Sequence, residues 1–174
     1  MKKLIVFALV LTMVFSVNSV FAAGQSDFKV KLGLDTGTIT NDTSSSNEAI
    51  DMGLSLCGEY ITPYSNDLSI GTGIEFQFDR NFSDLPNKFN FTPVYGLFKL
   101  NTADNVFLTG KLGYNFFNFA DISNTEGGLY YGFGGGMKIS DSIECEVIYS
   151  INNGKLEGDN INFSRLGIFL GTSF

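Results

Sequence analysis

Apolar and polar side chains alternate residue by residue along most of this chain. A period of two belongs to strands with two unlike faces, whereas apolar positions in helices recur every three or four residues. In the first such segment Phe28, Val30, Leu32 and Leu34 oppose Lys29, Lys31, Gly33 and Asp35. From Glu48 to Tyr60, Ile50, Met52, Leu54, Leu56 and Tyr60 oppose Asp51, Gly53, Ser55, Cys57 and Glu59. From Leu68 to Asp79, Leu68, Ile70, Ile74, Phe76 and Phe78 oppose Ser69, Gly71, Gly73, Glu75, Gln77 and Asp79. The segments 105–117, 128–139, 143–152 and 163–174 alternate in the same way. Segment 89–100 is apolar in both phases; placing Val94, Phe98 and Leu100 together puts Lys99 on the polar face. Pro93 removes a ladder donor there and asks for a bulge or a strand end nearby.

The eight segments hold about three fifths of the chain after Ala22, far above the strand content of an ordinary soluble domain. Such a content suits an up-and-down barrel whose tilted strands each need about 9 to 11 residues to cross a bilayer. The start of the chain supports export. Met1, Lys2 and Lys3 precede an apolar run from Leu4 to Val17, and Val20-Phe21-Ala22 offers a small-residue cleavage site. Residues 1–22 read as a secretory signal peptide and 23–174 as the barrel domain; Asn18 and Ser19 would sit inside the alternative, an uncleaved anchor helix. Without Lys2 and Lys3 the remaining 152 residues carry a formal charge of -9.

The polar face decides what surrounds the barrel. It carries glycines beside six basic groups, Lys29, Lys31, Lys99, Lys111, Lys138 and Arg165, and eight acidic ones, Asp27, Asp35, Asp51, Glu59, Glu75, Asp79, Glu144 and Glu146. Near-balanced signs suit a narrow interior in which charges pair. Up-and-down pairing brings Lys29 and Lys31 near Glu59, Lys138 near Glu144 and Arg165 near Asp35. The other face has no charge between its ends, which lipid requires and water penalises. A soluble periplasmic barrel holding a ligand would reverse these faces. Phe28, Tyr60 and Phe174 fall at one end of the apolar face, and Phe76, Phe78, Tyr114, Phe116, Tyr131 and Tyr149 toward the other, as two interfacial girdles would. A sandwich core would also collect aromatics, but leaves the charged face unexplained. Connections of 11, 7, 9, 4, 10, 3 and 10 residues alternate long and short, which places four longer loops outside and both termini in the periplasm.

Eight strands, the run Tyr130-Tyr131-Gly132-Phe133-Gly134-Gly135-Gly136 before the Ser140-Asp141-Ser142 turn, and the terminal Phe174 resemble the small OmpA/OmpX-type outer-membrane β-barrels over the whole exported chain. The resemblance implies a bacterial outer-membrane protein in contact with membrane lipid and lipopolysaccharide. It also implies an assembly signal, matched by Leu166, Ile168, Leu170 and Phe174, that the barrel-assembly machinery reads; Thr172 stands where an aromatic is more usual. No wall-binding extension follows the barrel.

Chemistry is sparse. The chain has no His, which removes imidazole bases and ligands, and its pI near 4.4 argues against nucleic acid. Cys57 and Cys145 fall on opposite faces, so a disulfide requires one register to be wrong. Glu144 and Glu146 have the spacing of an acid/base pair on one strand face, but ion pairing inside the barrel explains them better. Residues 41–47 and Asp159-Asn160-Ile161-Asn162 offer oxygen ligands for a divalent cation or simply solvated loop tips. The Tyr130-to-Gly136 run continues as strand and is no phosphate loop. No cofactor or metal is expected. The reading is a non-enzymatic surface barrel of the broad outer-membrane porin superfamily, acting through its loops on a host or cell-surface ligand; the alternatives are a small porin-like channel and a lipid-modifying enzyme.

Overall fold

The computed structural model describes residues 26–41, 47–81, 88–119 and 124–174. Residues 1–22, expected to be a signal peptide, and residues 42–46 of the connection after β1 lie outside the described residues. Eight long strands follow one another: β1 (Asp27–Asn41), β2 (Asn47–Pro63), β3 (Leu68–Gln77), β4 (Lys88–Asn101), β5 (Val106–Phe119), β6 (Thr125–Lys138), β7 (Ile143–Leu156) and β8 (Asp159–Ser173). A two-residue piece, Arg80–Asn81, continues β3 along β4. Each strand pairs antiparallel with its sequence neighbours, and β1 pairs with β8, so the all-β sheet closes into an up-and-down barrel.

The register fixes the barrel's shape. From Asp35 it runs through Gly167, Ile148, Gly134, Thr109, Lys99 and Ser69 to Pro63 on β2. Asp35 also pairs directly with Gly53, so one circuit displaces the ladder by 63 − 53 = 10 residues. With a rise of about 3.3 Å per residue and strands about 4.8 Å apart, that stagger over eight strands gives a tilt of about 40°. A barrel of this size is filled by its own side chains.

Several strands are longer than the alternation alone suggests, and on β1, β5, β6, β7 and β8 the extra length lies at the end away from the termini. The ten-residue connection expected after Asn152 is a two-residue turn, Glu157-Gly158, with φ of 53° and 99°. Asp159 to Asn162 therefore belong to β8 and pair with β7, as Asp159 does with Leu156. Two positive φ angles match the twist of a tight hairpin, and glycine takes the second freely.

Three irregularities change the phase of single strands near this far end. Asp51 and Met52 together oppose Thr36, because Asp35 pairs with Gly53 and Gly37 with Ile50. The bulge turns Ile50 inward, to 3% exposure, although simple alternation puts it outside. A second shift lies between Gly127 and Tyr130 on β6. At the third, pairing of β3 with β4 stops at Ile74 and Val94 and resumes only at Arg80 and Phe89. Pro93, which has no N–H to donate, lies within this interruption. It also stands opposite Asn115 on β5, where the ladder is continuous.

Beyond these irregularities the two faces exchange character. Near the termini the outside is apolar, with Leu32, Leu100, Leu112, Phe133, Ile168 and Leu170 exposed, and the inside is charged. At the far end the outward positions Thr38, Asn90, Asn118, Lys155, Asn162 and Ser164 are polar, while Ile39, Ile50, Phe89, Phe91, Phe117, Phe119, Ile161 and Phe163 form a buried cluster inside. Phe91 stacks on Phe117 at 4.6 Å, and Phe89 meets Phe163 edge-on at 5.4 Å.

Candidate functional site: a charged interior under an aromatic plug

The charged interior consists of two connected layers. Nearer the termini, β1, β4 and β5 supply Lys29, Lys31, Lys99 and Lys111, and β2 and β7 supply Glu59, Glu144 and Glu146; all are buried. Both Lys29 Nζ and Lys99 Nζ donate to Glu144 Oε2, at 2.6 and 2.5 Å. Lys31 lies 2.8 Å from Glu59, 2.8 Å from Glu146 and 3.1 Å from Glu144. Lys111 donates to Glu59 Oε1 at 2.7 Å, and Tyr95 OH donates to the same oxygen at 2.9 Å. Lys99 Nζ also sits 3.5 Å above the Phe107 ring, a cation–π contact.

The second layer centres on Asp35. Arg80 grips it through two bonds, Nε to Oδ1 at 3.0 Å and Nη2 to Oδ2 at 2.6 Å, and Nη1 donates to the Phe78 carbonyl. Ser55 Oγ donates to Asp35 at 2.8 Å, and Arg165 Nη1 at 3.0 Å. Arg165 also reaches Ser150 Oγ at 2.9 Å and pairs with Glu75 at 2.5 Å. Two guanidiniums thus share one carboxylate and draw on a second, an arrangement whose members are each costly to remove singly. Gly53 makes room for it, since a Cβ there would lie 2.8 Å from Arg80 Nε.

Not every residue expected in the interior is there. Asp51 faces outward because of the bulge it forms with Met52. Asp79 is exposed and accepts a 2.9 Å hydrogen bond from Asn90, because the interruption after Gln77 turns the next residue, Arg80, inward instead. Lys138 stands opposite Glu144 in the ladder but is exposed at the rim, and the Glu144 oxygens are taken by Lys29, Lys31 and Lys99. Lys29 likewise pairs with Glu59 in register, yet its ammonium turns to Glu144. Alternation missed Arg80; its signal was the polar-polar step Asp79-Arg80 at the end of a strand, where a phase change replaces one by the other.

Cys57 is buried inside, Cys145 lies on the outward face, and both are free thiols. Among the described residues no group of three or more His, Cys, Asp or Glu is arranged to hold a metal ion. At the terminal end a recess of about 110 Å³ is lined by Lys29, Lys99, Lys138, Glu144, Asp27 and Asp141, three charges of each sign. Leu166, Ile168 and Leu170 point outward on β8 and Phe174 follows just past its end, with exposures from 52% to 77%.

Comparison with known proteins places this geometry. The family model described as the outer membrane protein beta-barrel domain matches residues 7–174. Ail, the attachment invasion locus protein of Yersinia pestis, superposes with a TM-score of 0.61 at 16% identity, over 86% of this chain and 99% of Ail. The same protein in complex with the heparin analogue sucrose octasulfate gives 0.59 at 17% identity, over 86% and 99%. Neisserial surface protein A gives 0.56 at 11% identity, over 82% of this chain and 95% of that protein. No curated protein matches the sequence.

Proposed function

The chain belongs to the outer membrane protein beta-barrel domain family, and from that premise we propose that it is a non-enzymatic surface barrel whose far end stands in water as a rigid collar. The observation that carries this reading is the exchange of faces along the barrel: apolar outside and charged inside toward the termini, polar outside and aromatic inside beyond. Lipid demands the first arrangement and water the second. Contact with partners then falls to the collar wall and its tips. Both termini lie at the opposite, periplasmic end, residues 1–22 serve as the export signal, and Leu166, Ile168, Leu170 and Phe174 serve as the assembly signal.

The filled interior supports a non-conducting barrel over a channel, because the Asp35 layer and the Phe89–Phe163 cluster occupy successive levels of the same narrow bore. The absence of His supports a non-enzymatic role over the lipid-modifying alternative. Partner chemistry differs from that of the relative solved with a sulfated sugar. On the described outer collar Asp51, Asp79, Glu126, Glu157 and Asp159 outnumber Lys88 and Lys155, so the collar favours an uncharged or cationic surface over a polyanion.

Three measurements test the proposal. Refolded in detergent, the chain should migrate differently in SDS with and without boiling, since a closed barrel has no free edge to unravel. An epitope inserted between Glu157 and Gly158 should be reached by antibody on intact cells; access only after the outer membrane is opened would overturn the assigned orientation. In planar bilayers the protein should not conduct, and steady ion current would favour the channel.

A further inference from the structure

The buried charges of the barrel do not cancel. Among the described residues six buried Lys and Arg stand against five buried Asp and Glu. In the layer around Asp35 the signs match, since Arg80 and Arg165 face Asp35 and Glu75. The surplus cation therefore belongs to the layer nearer the termini, where four Lys meet three Glu.

Distances within that layer locate the surplus. Lys31 lies 2.8 Å from both Glu59 and Glu146, and Lys111 lies 2.7 Å from Glu59 and 3.7 Å from Glu146, so two cations share two carboxylates. Lys29 and Lys99 are left with Glu144, and both ammoniums crowd onto one of its oxygens, Oε2, at 2.6 and 2.5 Å. Its other oxygen faces Lys31 at 3.1 Å. A buried charge short of a counter-ion is strongly disfavoured. Each ammonium has three N–H donors, of which the shared oxygen takes one. What is missing beside Lys29 and Lys99 is one negative charge with acceptor oxygens.

Space for it lies next to the two ammoniums. The recess at the terminal end counts Lys29, Lys99 and Glu144 among its buried lining, and its volume of about 110 Å³ is several times what one water requires. Ser69 and Asn101 add uncharged polar groups. Asp27, Asp141 and Lys138 also line it, but all three are exposed, where water screens them, and neither Asp is ion-paired with Lys29 or Lys99.

We propose that this recess binds a small monocarboxylate, its two oxygens held between the ammoniums of Lys29 and Lys99. A single surplus charge calls for a monoanion, and a carboxylate offers each ammonium an oxygen of its own. A dianion such as sulfate would overcompensate the surplus and meet Asp27 and Asp141 at the mouth. In the orientation assigned above the recess opens to the periplasm; the inference itself rests only on the closed barrel.

The isotope-labelled barrel, refolded in an uncharged detergent, is titrated at neutral pH with sodium acetate, sodium sulfate or sodium chloride at one ionic strength, and its backbone amide shifts are followed. A dispersed spectrum and a heat-modifiable band in SDS establish the closed barrel first, so a silent titration overturns the site and not the fold. Acetate should give saturable shifts at Ser69, Asn101 and Ser173, which line the recess, and should bind more tightly than sulfate or chloride. Lys99→Met should weaken acetate binding by about tenfold or more, the worth of one hydrogen bond to a charged group. The double variant Asp27→Asn with Asp141→Asn, both sites exposed, should tighten it roughly two- to fivefold, the scale of an exposed charge pair, and keeps the test valid if Lys99→Met folds poorly. Acetate shifts no larger than those of chloride, tighter binding of sulfate than of acetate, equal acetate binding by the parent and Lys99→Met, or no tightening in the double Asp variant overturns the proposal.

Discussion

Arg165 and Asp35 are not ladder partners: Asp35 stands opposite Gly167, and Arg165 opposite Gly37. The guanidinium nevertheless crosses the diagonal to donate to Asp35 Oδ2 at 3.0 Å, while Arg80 holds the same carboxylate from its other side. A diagonal neighbour on an antiparallel pair lies within reach of a long side chain, and the small Gly167 leaves the path open. Asp35 is thereby the common counter-ion of two buried cations. Replacing it by Asn should lower unfolding stability in urea-titrated lipid vesicles by about 3 to 5 kcal/mol, as when one partner of a buried ion pair is removed. Asp51→Asn, on the outward side of the bulge, should change it by less than about 0.5 kcal/mol.

The aromatic cluster predicts a second contrast. Phe163 is fully buried against Phe89 and Phe91, whereas Phe98 is half exposed on the outward face. Phe163→Ala should cost about 3 to 5 kcal/mol through lost contacts and the space left behind. Phe98→Leu should stay within about 0.5 kcal/mol, since it exchanges one apolar group for another against lipid. Equal effects in the same urea titration would mean that the far end is not packed as described.

How much of this was legible in the sequence depends on the strand. On β1, β5, β7 and β8 a single phase runs from end to end of the membrane-facing part, so the inward positions of Lys31, Lys111, Glu146 and Arg165 follow from alternation alone. On β2 and β3 a bulge or a break resets the phase, and alternation extrapolated past it misplaces Ile50, Asp51 and Asp79 and overlooks Arg80. One residue of slip carries a side chain to the opposite face. The aromatic cluster was visible only as ambiguity. Phe89 and Phe91 made the fourth segment apolar in both phases because its inner face, too, is apolar at the far end. Nothing local announces that the environment outside the barrel has changed, so a reading that assumes one surrounding medium takes Phe163 for a strand end and Ile161 for a loop.

The hairpin at Glu157-Gly158 supplies a third prediction. Gly158 takes φ of 99° and Glu157 takes 53°, a region that side chains with a Cβ enter at about 1 to 2 kcal/mol. Gly158→Ala should destabilise the barrel by about 1 kcal/mol, although a Cβ there would meet nothing within 4 Å. Glu157→Asn should be neutral or mildly stabilising, because Asn tolerates positive φ better. A loss at Gly158→Ala without one at Glu157→Asn, in thermal unfolding of the two variants in one detergent, would support the turn; equal losses would argue against it.

The cysteines give a fourth. With Cys57 facing the interior and Cys145 facing outward, no bridge forms between them. Reductant should leave the mobility of both the boiled and the unboiled protein unchanged, and maleimide should reach Cys57 only after unfolding. Rapid labelling of Cys57 in the folded barrel would show that β2 is turned over.

The exchange of faces along the barrel is measured most directly on the outward side of β8, in a chain with no Trp of its own. Single Trp substitutions at Leu170, Ile168, Leu166, Ser164 and Asn162, in vesicles, report the surrounding medium by emission wavelength and acrylamide quenching. The account predicts blue-shifted, protected emission from Leu170 through Leu166 and red-shifted, readily quenched emission at Ser164 and Asn162, with one crossover between Leu166 and Ser164. Protected emission continuing through Asn162, or quenching at all five positions, would contradict it.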